Sequence, residues 1–175
     1  MSSSRRAVVL VEQAYEDLEL WYPKIRLEEE GFEVTVAGPE RVVYSGKHGY
    51  PCRADRTIGE IRAADYEALV IPGGWAPDRL RRLPAVLELV REFDRAGKPI
   101  AMICHAGWVP ISAKILTGRT VTGVSAIRDD LENAGAKFVD QSVVVDGHLV
   151  SSRTPADLPD FCRALLQLLQ ARVPV

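Results

Sequence analysis

The chain has 175 residues, 47% of them hydrophobic and 26% charged, which is the size of one domain with room for a real core and the composition of a globular protein. A net charge of -2 argues against non-specific nucleic-acid binding, and nothing suggests a membrane partner. Cys52, Cys104 and Cys162 form no CxxC pair, so an odd number of cysteines without a signal peptide predicts a reducing, cytoplasmic setting rather than a disulfide framework. His48, His105 and His148 lie far apart without zinc spacing, so no metal or other cofactor is expected.

Residues 1–5 read as a frayed basic tail leading into Ala7-Val8-Val9-Leu10-Val11, a continuous apolar run that predicts a strand covered on both faces. The run is too short for a signal segment and is cut off by Glu12. Leu18, Tyr22, Ile25 and Leu27 follow at roughly helical spacing up to Gly31, with Pro23 predicting a kink or a late helix start. Phe32 to Ala37 is a second strand. Val42 to Tyr44 and Tyr50 to Arg53 form a hairpin, with its turn at Ser45 to Tyr50, that reads as an appendage. A short helix is predicted over Ile58 to Ala64, then a third buried strand, Ala68 to Ile71, ending in Pro72-Gly73-Gly74.

Val86, Leu89, Val90 and Phe93 mark an amphipathic helix from Leu83 to Ala96, stopped by Gly97. The apolar run Ile100 to Ile103 then halts at Cys104, and a helical pattern begins near Val109 and runs to Leu116. Thr120 to Thr122 reads as a short strand, Ile127 to Ala134 as a helix, and Val143 to Val150 as a hairpin turning at Asp146-Gly147. Pro155 opens a last helix that runs to about Ala171. This order of strands and helices specifies an α/β layered domain with a mostly parallel sheet.

In such sheets ligands bind at the carboxyl ends of the strands. Three segments end there with chemistry: Glu16, Gly73-Gly74 and Cys104-His105. A strand-to-helix elbow at Cys104 exposes a nucleophile and aims helix N–H groups at its sulfur, which favours a thiolate. Glu16 can hydrogen-bond that sulfur, His105 can act as base, and the N–H groups of Gly74 and His105 can form an oxyanion hole. Trp75 and Trp108 flank these positions and are expected to line the pocket. Each residue also has a plainer reading. Glu16 is then one acid of a helix first turn, Gly73-Gly74 a simple turn, and Cys104 a small buried hydrophobe.

Tyr15 to Leu20, Tyr22-Pro23, Gly46 to Tyr50, Pro72 to Asp78, Ile103-Cys104-His105, Asn133-Ala134-Gly135 and Val145 to Leu158 together resemble the PfpI family of intracellular protease-like proteins in the DJ/PfpI superfamily. The resemblance runs from Val8 to about Leu169. It implies a flavodoxin-like, class I glutamine amidotransferase-like three-layer sandwich. It makes Cys104 the nucleophile, Glu16 the acid on the thiol, His105 the catalytic histidine, and the Gly74 and His105 amides the oxyanion hole. Asp78 falls where peptidase-like members place a glutamate that reaches the histidine of a neighbouring subunit, which implies a homodimer or hexamer with an interface site. Val124 stands where those members have a tyrosine, and Ala106-Gly107-Trp108 replaces the common Gly-Pro-Gln. The activities implied are a glyoxalase- or deglycase-like hydrolase acting on small carbonyls, an intracellular cysteine peptidase acting on peptides, or a redox-responsive protein that is not an enzyme.

Overall fold

The computed structural model describes residues 5–172. Residues 1–4 of the expected frayed tail lie outside that range. Arg5 itself is anchored, paired with Glu67 at 2.9 Å and stacked 4.2 Å over the Phe32 ring.

In chain order the elements are β1 (Arg6–Leu10), α1 (Asp17–Glu29), β2 (Glu33–Gly38), β3 (Val43–Ser45), β4 (Pro51–Arg53), β5 (Arg56–Thr57), β6 (Ala68–Ile71), α2 (Ala76–Leu80), α3 (Pro84–Arg95), β7 (Ile100–Ile103), α4 (Trp108–Ala113), β8 (Thr120–Val121), α5 (Arg128–Asn133), β9 (Lys137–Phe138), β10 (Val143–Asp146), β11 (Leu149–Ser152) and α6 (Leu158–Gln170). Seven strands form one sheet in the order β10-β11-β7-β6-β1-β2-β5. Every neighbouring pair is parallel except the β10–β11 hairpin. The runs that read as continuously apolar are its centre: every residue of β6 and β7 is buried, as β strands covered by helices on both faces must be. Helices α1 and α6 pack together on one face, and α3 packs with α4 against β6 and β7 on the other. The mostly parallel, flavodoxin-like layered fold is the one expected.

Five local expectations are corrected. Ile58 to Ala64 is two short 3-10 turns, Ile58–Glu60 and Ala63–Asp65, because the segment is too short to close a stable α-helix and Thr57 and Glu60 cap the first turn on themselves. The strand at Thr120 stays outside the main sheet and pairs in parallel with β9, which the sequence pattern did not show. The last hairpin turns at Gly147-His148, one residue later than expected, since Asp146 still pairs with Leu149 and Gly147 takes the positive φ of +59°. Helix α1 does not start late; it begins at Asp17, runs through Pro23 to Glu29 and carries the proline on its buried side. The β3–β4 hairpin is no appendage. Its turn is bonded to the start of α1: the Asp17 carboxylate accepts the N–H groups of His48 and Tyr50, each at 2.9 Å, and the Tyr15 hydroxyl donates to the Tyr50 carbonyl.

Candidate active site

Strand β7 ends where the backbone must reverse into a 3-10 turn, Cys104–Gly107, before α4. Cys104 takes the turn at φ +62°. That left-handed conformation costs a non-glycine residue roughly 1–3 kcal/mol, so the surroundings must hold it. They do so through the Cys104 carbonyl, which accepts the Val124 N–H at 3.3 Å, and through Gly123, where an added Cβ would lie 3.3 Å from that carbonyl. On the other side, Gly74 at φ +75° bends the end of the β6 loop inward. The backbone N–H groups of Gly74 and His105 favour the ionised form of the Cys104 sulfur.

The acid on the thiol is Glu19, and the expectation for Glu16 is corrected. Glu16 is the N-cap of α1: its carboxylate turns back to the Leu18 N–H at 3.4 Å and faces His48 Nε2 at 3.4 Å. Glu19 sits one turn further along on the inward side of the helix, fully buried with Leu20, Pro23 and Leu27. Its Oε2 accepts the Gly73 N–H at 2.8 Å, its carboxyl interacts with the Cys104 thiol, and its Oε1 is buried without a hydrogen-bond partner. A Cβ at Gly73 would collide with that carboxylate and with the cysteine side chain, so this glycine is what lets acid and thiol meet. The sequence did carry a signal. With the helix start at Asp17, the spacing 19, 20, 23, 27 is one buried helical stripe with Glu19 as its polar member.

Burial sets the protonation of the site. It pushes Glu19 up to about 8 and Cys104 up to about 12, where the charge of Glu19 adds to desolvation of the sulfur. The expected depression of the thiol by helix N–H groups is thus outweighed: two backbone donors do not offset removal of a thiolate from water beside a carboxylate. The repulsion lasts only while Glu19 is ionised. When Glu19 keeps its proton, a thiolate beside it gains an O–H donor, and a single negative charge is shared by the pair.

His105 Nδ1 stands 3.3 Å from the sulfur, so the imidazole faces the thiol although the two residues are consecutive. Burial, and then Lys47, lower its affinity for a proton and favour a neutral ring able to accept one. The ring lies between two indoles, Trp75 at 5.5 Å and Trp108 at 5.1 Å between centroids. Trp108 is itself fixed by a 2.8 Å bond from Nε1 to Asp130 and by Arg81 over its ring.

The cleft above the sulfur has a volume of about 100 Å³ and is lined by Glu16, Glu19, Lys47, Gly74, Trp75, Cys104, His105 and Pro155. Of the expected lining residues, Trp75 is there. Trp108 backs His105 instead, and Val124 packs against the core because its backbone is committed to Cys104. Lys47 and Pro155 were missed, being delivered by loops far away in sequence. Asp78 is exposed on α2 and ion-paired with Arg82 at 2.9 Å, not with the protomer's own His105. Glu16, Asp17 and His48 bring ligand atoms within 4.8 Å of one another. Both Asp17 oxygens there accept loop N–H groups, which makes the cluster a clamp on the hairpin turn.

A flavodoxin-like sheet with a cysteine on a strained strand-to-helix elbow, at the carboxyl end of a central strand, defines a class of α/β protein. Within that class, a profile of the DJ-1/PfpI family matches residues 5–168, and the chain belongs to that family. It is 47% identical over 156 residues to the deglycase PfpI of Pyrococcus furiosus, covering 89% of this chain and 94% of that one. Among solved structures, a two-domain protein from Anabaena variabilis with DJ-1/ThiJ/PfpI-like and ferritin-like domains superposes with a TM-score of 0.94 at 41% identity, covering 98% of this chain and 50% of that chain. DJ-1beta of Drosophila melanogaster gives a TM-score of 0.88 at 26% identity, covering 96% of this chain and 95% of that one. Among the described residues no helix is long and apolar enough to cross a membrane.

Proposed function

We propose that the protein is a cysteine-dependent enzyme acting on small reactive carbonyls, a deglycase- or glyoxalase-like hydrolase. The observation that carries this is the convergence of one thiol, one imidazole at 3.3 Å and one proton-holding carboxyl in a cleft of about 100 Å³. Such a cleft is far below the ~300–1,000 Å³ of ordinary ligand pockets and suits a dicarbonyl better than an extended peptide. Relatives named deglycases support the same reaction class.

In this reading His105 takes the Cys104 proton as the sulfur adds to an aldehyde carbon. The carbonyl π pair moves to oxygen, where the Gly74 and His105 N–H groups meet it, and protonation gives a hemithioacetal. For a 2-oxoaldehyde, removal of the proton on that carbon gives an enediol. Reprotonation at the neighbouring carbon leaves a thioester of a 2-hydroxy acid, and water then releases the acid and restores the thiol. Glu19, buried and protonated near neutrality, supplies and retakes a proton beside the sulfur. The peptidase reading needs an acid to orient His105; Asp78, exposed on α2, would have to supply it to a second subunit, so the interface site of a homo-oligomer belongs to that proposal. The expected outcome for Cys104→Ser is loss of methylglyoxal consumption by at least ~10³-fold. Consumption at the wild-type rate would remove the cysteine from the mechanism.

A further inference from the structure

The cleft holds more charge machinery than a neutral dicarbonyl needs. Five of its lining residues, Glu16, Glu19, Lys47, Cys104 and His105, are titratable. Four of them are partnered or held neutral. Glu16 caps α1 and faces His48. Glu19 is kept near its protonated form, and burial opposes charge on both Cys104 and His105. Lys47 differs: its side chain is exposed and forms no ion pair among the described residues, yet its charge acts on both Glu19 and His105 from the cleft wall.

The backbone at Lys47 is held firmly. Its N–H donates to the Tyr15 carbonyl at 2.7 Å, the preceding Ser45 carbonyl accepts from Ala14 at 2.9 Å, and the next turn residues are gripped by Asp17. A Cβ at Gly46 would overlap the Asp17 carboxylate, so the turn lies directly on the start of α1. An ammonium presented this way, beside a nucleophile and in no ion pair among the described residues, is half of an anion site.

Resting on the reading that Cys104 attacks a small carbonyl, we propose that the cleft also binds a small oxo acid, whose reactive carbonyl carbon is bonded to a carboxylate, as a reversible thiol adduct, with Lys47 binding the carboxylate while the sulfur adds next to it. The cleft volume favours this compact arrangement over a longer phosphorylated chain. The addition balances: the sulfur–carbon bond forms, the carbonyl π pair moves to oxygen, and the proton lost by the thiol ends on that oxygen, with no oxidant and no leaving group.

Glyoxylate and glyoxal are close in size and differ in the carboxylate. Protection of Cys104 from alkylation by iodoacetamide gives an apparent dissociation constant for each without requiring turnover. The wild type is expected to bind glyoxylate more tightly than glyoxal, Lys47→Met to lose about fivefold of that preference, and Lys47→Arg to keep most of it. The ratio of alkylation rates by iodoacetate and iodoacetamide reads the same charge without any carbonyl, and falls with Lys47→Met. A preference and a rate ratio both unchanged in Lys47→Met, or a wild type protected by glyoxal alone, overturns the proposal. Protection by neither probe overturns the carbonyl reading and this proposal with it; loss of methylglyoxal turnover with glyoxylate protection intact overturns only the proposed reaction.

Discussion

Glu19 is the residue whose environment has the largest consequence for pH. Its carboxyl is fully buried and pushed from 4.5 up to about 8, mainly by desolvation. Below about pH 4.5 the folded and unfolded chains both carry this proton, and between that value and about pH 8 only the folded chain does. The unfolded state then binds fewer protons, so this contribution to stability is full in acid and is lost as pH rises through about 8. Glu19→Gln removes the titration. Urea unfolding across this range should show a flatter pH dependence in the variant, with a difference on the order of a few kcal/mol between the two ends. The thiol carries the same sign. Above about pH 8, where Glu19 is ionised and repels the thiolate, alkylation of Cys104 should extend to lower pH in Glu19→Gln than in the wild type.

At the scale of elements, the β3–β4 hairpin and α1 act as one unit because Asp17 accepts two turn N–H groups and Tyr15 bridges to both Gly46 and Gly74. Tyr15 thereby links the turn that carries Lys47 to the loop that carries an amide donor. Asp17→Ala should release the turn while water replaces the lost acceptor, at a cost of about 1–2 kcal/mol. The measurement is a thermal midpoint lowered by roughly 2–8 °C together with faster amide exchange confined to residues 46–50. A lowered midpoint with unchanged exchange there would mean that Asp17 acts through the dipole of α1 rather than through the hairpin. The sequence pattern found both strands of this hairpin from the polar turn between them, but not its attachment. Attachment depends on which acid of Glu16, Asp17 and Glu19 faces which neighbour, and three acids within one helical turn look alike until the helix start is fixed.

At the scale of the whole molecule, the sheet brings the ends of β6 and β7 and the first turn of α1 to one point, while Asp78 is left exposed on α2. If a neighbouring subunit uses that carboxylate, light scattering should show a dimer or larger assembly. An inactive Cys104→Ser protein mixed with an inactive Asp78→Ala protein should then regain activity through mixed interfaces. A monomer at micromolar concentration, or full activity in Asp78→Ala, would end the interface-site proposal.

The sequence by itself determined the layered architecture, the central strands and the cysteine elbow. Continuous apolar runs bounded by Gly and Pro carry that information locally, and the apolar area buried by β1, β6 and β7 leaves little choice of partner. The tertiary structure alone decided which carboxyl touches the thiol, that the imidazole next in sequence turns back toward the sulfur, and that Lys47 lines the cleft. Those outcomes depend on side-chain direction at a positive-φ residue, on the phase of one helix and on loops joined across the sheet; the helix phase shows in the 19, 20, 23, 27 stripe only once the helix start at Asp17 is fixed, and the other two leave no periodic mark in the sequence.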